Sequence, residues 1–305
     1  MRRGRAIRDT GHRLRPGATL GAAGSDPLPG RGAPRVLRAL LEVVAVVALT
    51  LAAVVALSGS PLGVLERRFT HRPFLEYAAM IAVPLLALAA RRRRAADCGI
   101  TLRRARLDLD AAFTCFIPYA IAHAAGSFVR PPGPVSSAGF GAVLALATLV
   151  VVGWLLRHKP SPGGSAVSTA CLLGVAAIPL LVPPTPGRAV SALTFYALFL
   201  GPGEEILFHG YAQSRLNQVF ARRWDFFGAA WGWGAVLAAA LFGLMHVLDL
   251  PALARGTVDL RWWRGLDTFC WGLVLGFVRE RTGTVVAPAL LHGLPQGIAW
   301  AFLGR

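Results

Sequence analysis

Charged residues make up only 15% of this 305-residue chain, where a soluble protein carries about 25%. Lysine is nearly absent: Lys159 is the single lysine among 32 basic residues. That bias, with abundant alanine, points to a GC-rich bacterial genome and says nothing of function. The four cysteines, Cys98, Cys115, Cys171 and Cys270, form no C-x-x-C pair. No zinc framework or disulfide scaffold follows from them. Three lie in apolar runs and are expected to pack as small hydrophobes. No H-E-x-x-H helix occurs, so the ordinary zinc-protease signature is missing. No roughly 10-residue alternating pattern occurs, which argues against a β-barrel. No internal repeat stands out, which weakens a transporter built from inverted halves.

What the chain does have is long apolar runs. It is 55% hydrophobic with a mean hydropathy of +0.54. These values predict an all-α, polytopic membrane helix bundle of about eight or nine transmembrane helices. Candidate spans fall at 37–57, 74–90, 111–129, 139–156, 167–183, 189–208, 230–248, 264–278 and 285–303. The 264–278 run is shorter than the roughly 17 residues a span needs.

The net charge of +17 would suggest nucleic acid on a soluble protein. Here the arginines lie between apolar runs and read as topology signals, with no nucleic-acid partner. A cytoplasmic N-terminus puts 23 of the 32 basic residues inside and 9 outside. That orientation implies a multi-pass protein of the inner (plasma) membrane. The run Arg91-Arg92-Arg93-Arg94 is the strongest stop signal, with anionic-lipid contact as its second role. The chain divides into a disordered, Arg-rich cytoplasmic tail (1–36), a transmembrane scaffold (37–184) and a membrane-embedded catalytic unit (185–305).

The last unit carries polar groups that a membrane span keeps only for a reason. Gly201-Pro202-Gly203 precedes Glu204 and Glu205 and is expected to break or kink the helix. The resumed helix then presents Glu205 and His209 on one face, with Glu204 about 100° away. Adjacent carboxylates in a low dielectric divide their roles, one paired and one free to act as a base. Phe242 and His246 share a second helix face. His292 and Gln296 share a third and could donate to one oxyanion. Each element alone has a plain structural reading, as a helix-end pair or a bond between neighbouring helices. Depth counting leaves a tension, with Glu204 toward the cytoplasmic side and His246 toward the outer side. A late start of the helix near Trp231 and Trp233 brings them closer but leaves His246 roughly 20 Å in, past the midplane; a continuous helix over 189–221 moves Glu204 deeper.

In order and spacing, Glu204-Glu205-x-x-x-His209, Phe242-x-x-x-His246 and His292-x-x-x-Gln296 resemble the CPBP intramembrane proteases. These are also called CAAX-type or Abi proteins and include the type II prenyl-protein endopeptidases. The stretch Gly272-Leu273-Val274-Leu275-Gly276, then Arg281-Thr282-Gly283, is also typical. The resemblance covers about 189–303. It implies an intramembrane endopeptidase in which Glu204 and His246 activate water. Glu205 would hold the site by pairing four residues on, His292 and Gln296 would stabilise the oxyanion, and Phe242 would pack beside them. Two positions depart from the family pattern: His209 stands for its arginine and Gln296 for its Asn or Asp.

Metal use stays open. His246, His292 and Glu204 could form a His₂Glu zinc set; the resemblance also allows a metal-free glutamate mechanism, which is the favoured reading. Zinc is the one candidate cofactor, and none is certain. The implied partners are membrane lipids and a membrane-associated peptide or protein substrate; the oligomeric state is unknown. Two other classes compete: a non-catalytic protein of the same fold, such as a bacteriocin self-immunity or scaffold protein, and an ion or proton transporter using the acids as a relay.

Overall fold

The computed structural model describes residues 32–129, 131–158 and 186–303. Most of the expected tail, the span at 167–183 and Cys171 lie outside them. The described chain is α-helical apart from one small hairpin. The helices are α1 (Ala33–Gly59), α2 (Pro61–Thr70), α3 (Phe74–Ala90), α4 (Ala105–Phe128) and α5 (Pro134–His158). After these come α6 (186–217), α7 (Trp233–Val247), α8 (Leu250–Ala254), α9 (Trp262–Thr282) and α10 (Val286–Ile298). A short π-helical turn, Ala299–Leu303, continues α10.

Among the described residues, α1 and α5 are the two helices long and apolar enough, by length and composition, to cross a membrane. Both expose large apolar side chains: Leu37, Leu41 and Leu49 on α1, Val143, Val150 and Trp154 on α5. The remaining helices are shorter, interrupted or carry buried charge. The 264–278 run proves longer than its apolar stretch. α9 continues through Arg279-Glu280-Arg281 to Thr282, giving 21 residues, or about 32 Å at 1.5 Å per residue. Arg279 does not end the helix because it is buried, bonded to Ser214 Oγ at 2.5 Å and to Glu280 Oε1 at 3.3 Å.

Gly201-Pro202-Gly203 does not break α6. The helix runs through it, with Gly201 at φ −54°, ψ −58°. Instead the helix widens to π-type turns on either side, at Tyr196–Leu200 and Glu205–Ala212. A proline lacks an N–H and crowds the carbonyl four residues earlier; π-type turns accommodate that misfit while the helix continues. The glycines serve close packing. A Cβ on Gly201 would collide with the Ala289 carbonyl, and one on Gly293 with the Tyr196 carbonyl. Thus α6 and α10 meet backbone to backbone.

The second departure from an all-helical reading is an antiparallel hairpin, β1 (Trp224–Phe226) with β2 (Ala229–Trp231). Its turn residues Phe227 and Gly228 have φ of 50° and 75°, the left-handed pair of a two-residue hairpin. Strands of three residues are too short to show period-2 alternation, so the sequence pattern does not reveal them.

α7 packs on α9, α9 also on α5, α4 on α5 and α10, and α1 on α3. Their apolar faces form one cluster around Tyr119, Leu149, Val274 and Phe277, and another around Val47, Met80, Phe208 and Leu216. The free cysteines 98, 115 and 270 are buried in this packing. Two ends of the bundle are distinct. At one, Val285 N donates to Gly99 O at 3.0 Å and Arg281 donates to Leu156 O at 2.9 Å. At the other, Ser191 Oγ donates to Thr70 O at 3.1 Å and Arg72 lies 4.6 Å from the Trp300 ring centre.

Candidate active site

Four helices supply the site: α3, α6, α7 and α10. The arginine run contributes to it from a distance. Arg93 pairs with the buried Glu42 at 2.8 Å, Arg91 approaches it at 3.9 Å, and Arg215 from α6 holds its other oxygen at 3.1 Å. Tyr211 donates to Glu42 at 3.1 Å. This junction ties α1 and the turn after α3 to the end of α6.

Further into α6, Glu204 and Glu205 are buried and point to different partners. Glu204 Oε2 lies 3.6 Å from His292 Nε2 and 3.9 Å from His246 Nε2. Its other oxygen accepts from Tyr77 Oη at 3.3 Å. Glu205 Oε1 accepts from His292 Nδ1 at 3.0 Å. The two glutamates therefore grip opposite nitrogens of one imidazole.

Hydrogen bonds at Nδ1 orient both catalytic candidates on α7 and α10 and fix the tautomer of His246. His246 Nδ1 lies 2.9 Å from the Phe242 carbonyl, which only accepts, so Nδ1 carries the proton. A neutral His246 then turns an unprotonated Nε2 toward Glu204. His292 Nδ1 donates to Glu205, so its Nε2 likewise faces Glu204. Phe242 forms the apolar plate between them, its ring centre 4.7 Å from that of His246, 5.8 Å from His292 and 6.1 Å from His209. Gln296 sits one turn after His292 and lines the same cavity as His246, His292 and Phe242.

His209 stands at 4.0 Å from Glu205, His209 Nε2 to Glu205 Oε2, and neither atom has a hydrogen-bond partner. This is longer than an ion pair in contact, and Glu205 is held chiefly by His292 instead. The π-turn displaces the simple i,i+4 stacking that α-helical spacing implies. His209 is anchored behind. Gln213 Nε2 donates to Gly276 O at 3.1 Å and to Glu280 Oε1 at 2.6 Å. Its Oε1 must therefore accept from His209 Nδ1, at 2.7 Å. Glu280 in turn accepts from Asn217 at 2.6 Å and pairs with Arg222 at 3.3 Å. Glu205, His209, Gln213 and Asn217 thus form a stripe at four-residue spacing along α6, from the site to one end of the bundle.

Sequence reasoning missed Tyr77, Gln213 and Glu280. Gln213 and Asn217 continue the Glu205–His209 spacing, a signal that was available in α6. Tyr77 carried none, since its role depends on where α3 packs.

The donor types of Glu204, His246 and His292 are those of a His₂Glu zinc set. Zinc bonds of about 2.0–2.1 Å keep tetrahedral ligand atoms near 3.4 Å apart, and Glu204 Oε2 exceeds that to both imidazoles. Among the described residues no three or more His, Cys, Asp or Glu gather as metal ligands. The set suits the metal in kind and not in spacing, so no step is derived through one.

Residues 186–297 match the family model described as type II CAAX prenyl endopeptidase Rce1-like. No curated protein and no solved structure matches the chain.

Proposed function

Residues 186–297 belong to the Rce1-like type II CAAX prenyl endopeptidases, a membrane-protease family of the CPBP group, and from that premise we propose that this chain is an intramembrane endopeptidase. It hydrolyses peptide bonds of membrane-associated proteins or peptides. The observation that carries this reading is the convergence of Glu204 Oε2 on Nε2 of both His292 and His246, at 3.6 and 3.9 Å.

The chemistry runs on side chains alone. A water held between Glu204 Oε2 and His246 Nε2 gives its proton to Glu204 as its oxygen attacks the scissile carbonyl carbon. The tetrahedral oxyanion is met by His292 and the Gln296 amide. Glu205 on His292 Nδ1 favours the protonated ring, whose Nε2–H then points at developing negative charge. Collapse breaks the C–N bond, and the proton on Glu204 passes to the leaving amine. Tyr77 orients Glu204 by bonding the oxygen that does not act.

We read α1, α3, α4, α5, α6, α7, α9 and α10 as spans, in the inner membrane with the N-terminus cytoplasmic. The helices before the protease unit, α1 to α5, serve as its scaffold. In support, segments expected inside lie together at one end: Arg91–Gly99, the end of α6 and the α9–α10 turn. A non-catalytic member of the same fold is the second reading. It draws on the unpartnered His209 Nε2 and Glu205 Oε2, where the family pattern has an arginine.

The deciding experiment compares new peptide termini in membranes of cells expressing wild type or Glu204→Gln at equal levels. Termini seen only with wild type support the peptidase. None, with both proteins folded, moves the assignment to the non-catalytic reading.

A further inference from the structure

Beyond the two imidazoles lies a cavity of about 830 Å³, walled by α4, α5, α9 and α10. His246, His292 and Gln296 form one side. Asp267 of α9, with Tyr119 of α4 and Trp271, lines the rest. Nothing in the cleavage chemistry uses Asp267, yet it is a carboxylate within the expected span at 264–278. Such a group is costly unless it has a partner.

The protein gives it few. Trp271, one turn on, lines the same wall. Asp267 Oδ1 is buried without a hydrogen-bond partner. Arg264, the nearest cation on the same helix, is exposed at the cavity mouth, and His123 lines the wall on α4. Facing Asp267 on α5 is Gly141, where any Cβ would run into the Asp267 carboxylate. The glycine leaves the niche that the acid fills. Beside it stand two aromatic rings, Tyr119 and Trp271, with centres 5.0 Å apart. A carboxylate flanked by aromatic rings is the chemistry that holds a guanidinium or ammonium group.

We propose that Asp267 forms a substrate subsite for a basic side chain, arginine or lysine, close to the scissile bond. This inference rests on the endopeptidase reading for its substrate class, and its test does not need cleavage. The probe is a set of apolar nonapeptides carrying one arginine, or its uncharged isostere citrulline, at each central position. Binding is measured by fluorescence polarisation to the full-length Glu204→Gln protein in detergent. At one position the arginine peptide is expected to bind at least tenfold tighter than its citrulline partner. Asp267→Asn in the same background should erase that ratio, and Asp267→Glu should keep a preference for arginine.

Equal binding of both peptides by Glu204→Gln overturns the proposal without any change at Asp267. So does an arginine preference that survives Asp267→Asn. If the preference is present and lost as expected, but wild type cuts none of the bound peptides, the subsite stands and the endopeptidase reading falls.

Discussion

Glu205 and His292 are 87 residues apart in sequence and joined at 3.0 Å, carboxylate to Nδ1. Through this one contact, α6 sets the orientation of the imidazole on α10 that faces Glu204. Replacing Glu205 by Gln keeps the shape and removes the charge that favours His292 as a protonated donor. The expected result is a kcat lower by about 10–100-fold with KM little changed. A rise in KM alone would mean that Glu205 only shapes the substrate cavity.

His209 supplies a second test. Its Nδ1 is committed to Gln213, so a neutral ring turns a lone pair toward the Glu205 carboxylate. Glu205 Oε2 and His209 Nε2 stand 4.0 Å apart, each without a hydrogen-bond partner. A buried acceptor left unpaired costs about 1–3 kcal/mol. His209→Arg places a charged donor fork beside that carboxylate and should raise the melting temperature in detergent. An unchanged or lower melting temperature would show that Glu205 needs no donor there.

Tyr77→Phe removes one donor from Glu204 and leaves the ring packing against Phe195, whose centre is 5.1 Å away. A single hydrogen bond contributes about 1 kcal/mol, so kcat should drop about fivefold with thermal stability near wild type. An unchanged kcat would remove Tyr77 from the site.

Gly293→Ala places a methyl group against the Tyr196 carbonyl, which cannot swing aside as a side-chain end can. Overpacking of this kind costs about 1–3 kcal/mol. It also moves His292 away from both glutamates. Activity should fall more steeply than melting temperature in detergent, whereas Gly139→Ala, with nothing near its Cβ, should change neither.

Metal removal separates two mechanisms that share the same residues. Purified protein dialysed against a chelator is expected to keep its activity. Loss restored by zinc would assign Glu204, His246 and His292 as ligands and take the base role from Glu204.

The sequence by itself determined the all-helical class, the positions of the apolar segments and the polar residues worth attention. It did so because apolar length and four-residue spacing are local properties of a helix. The tertiary structure alone decided which polar atoms meet. Depth counting set Glu204 and His246 apart; the packing of α6 against α7 brings them to 3.9 Å. The expected break at Pro202 became two π-turns, since whether a helix kinks or widens depends on what packs against it. Glu205 was expected to pair with His209 four residues on; His292 holds it more closely. Tyr77, Gln213 and Glu280 joined the site through contacts between helices. Hydrogen bonds across 60 to 130 residues, such as Gln213–Gly276 and Tyr77–Glu204, depend on register and rotation between helices, which no single segment encodes.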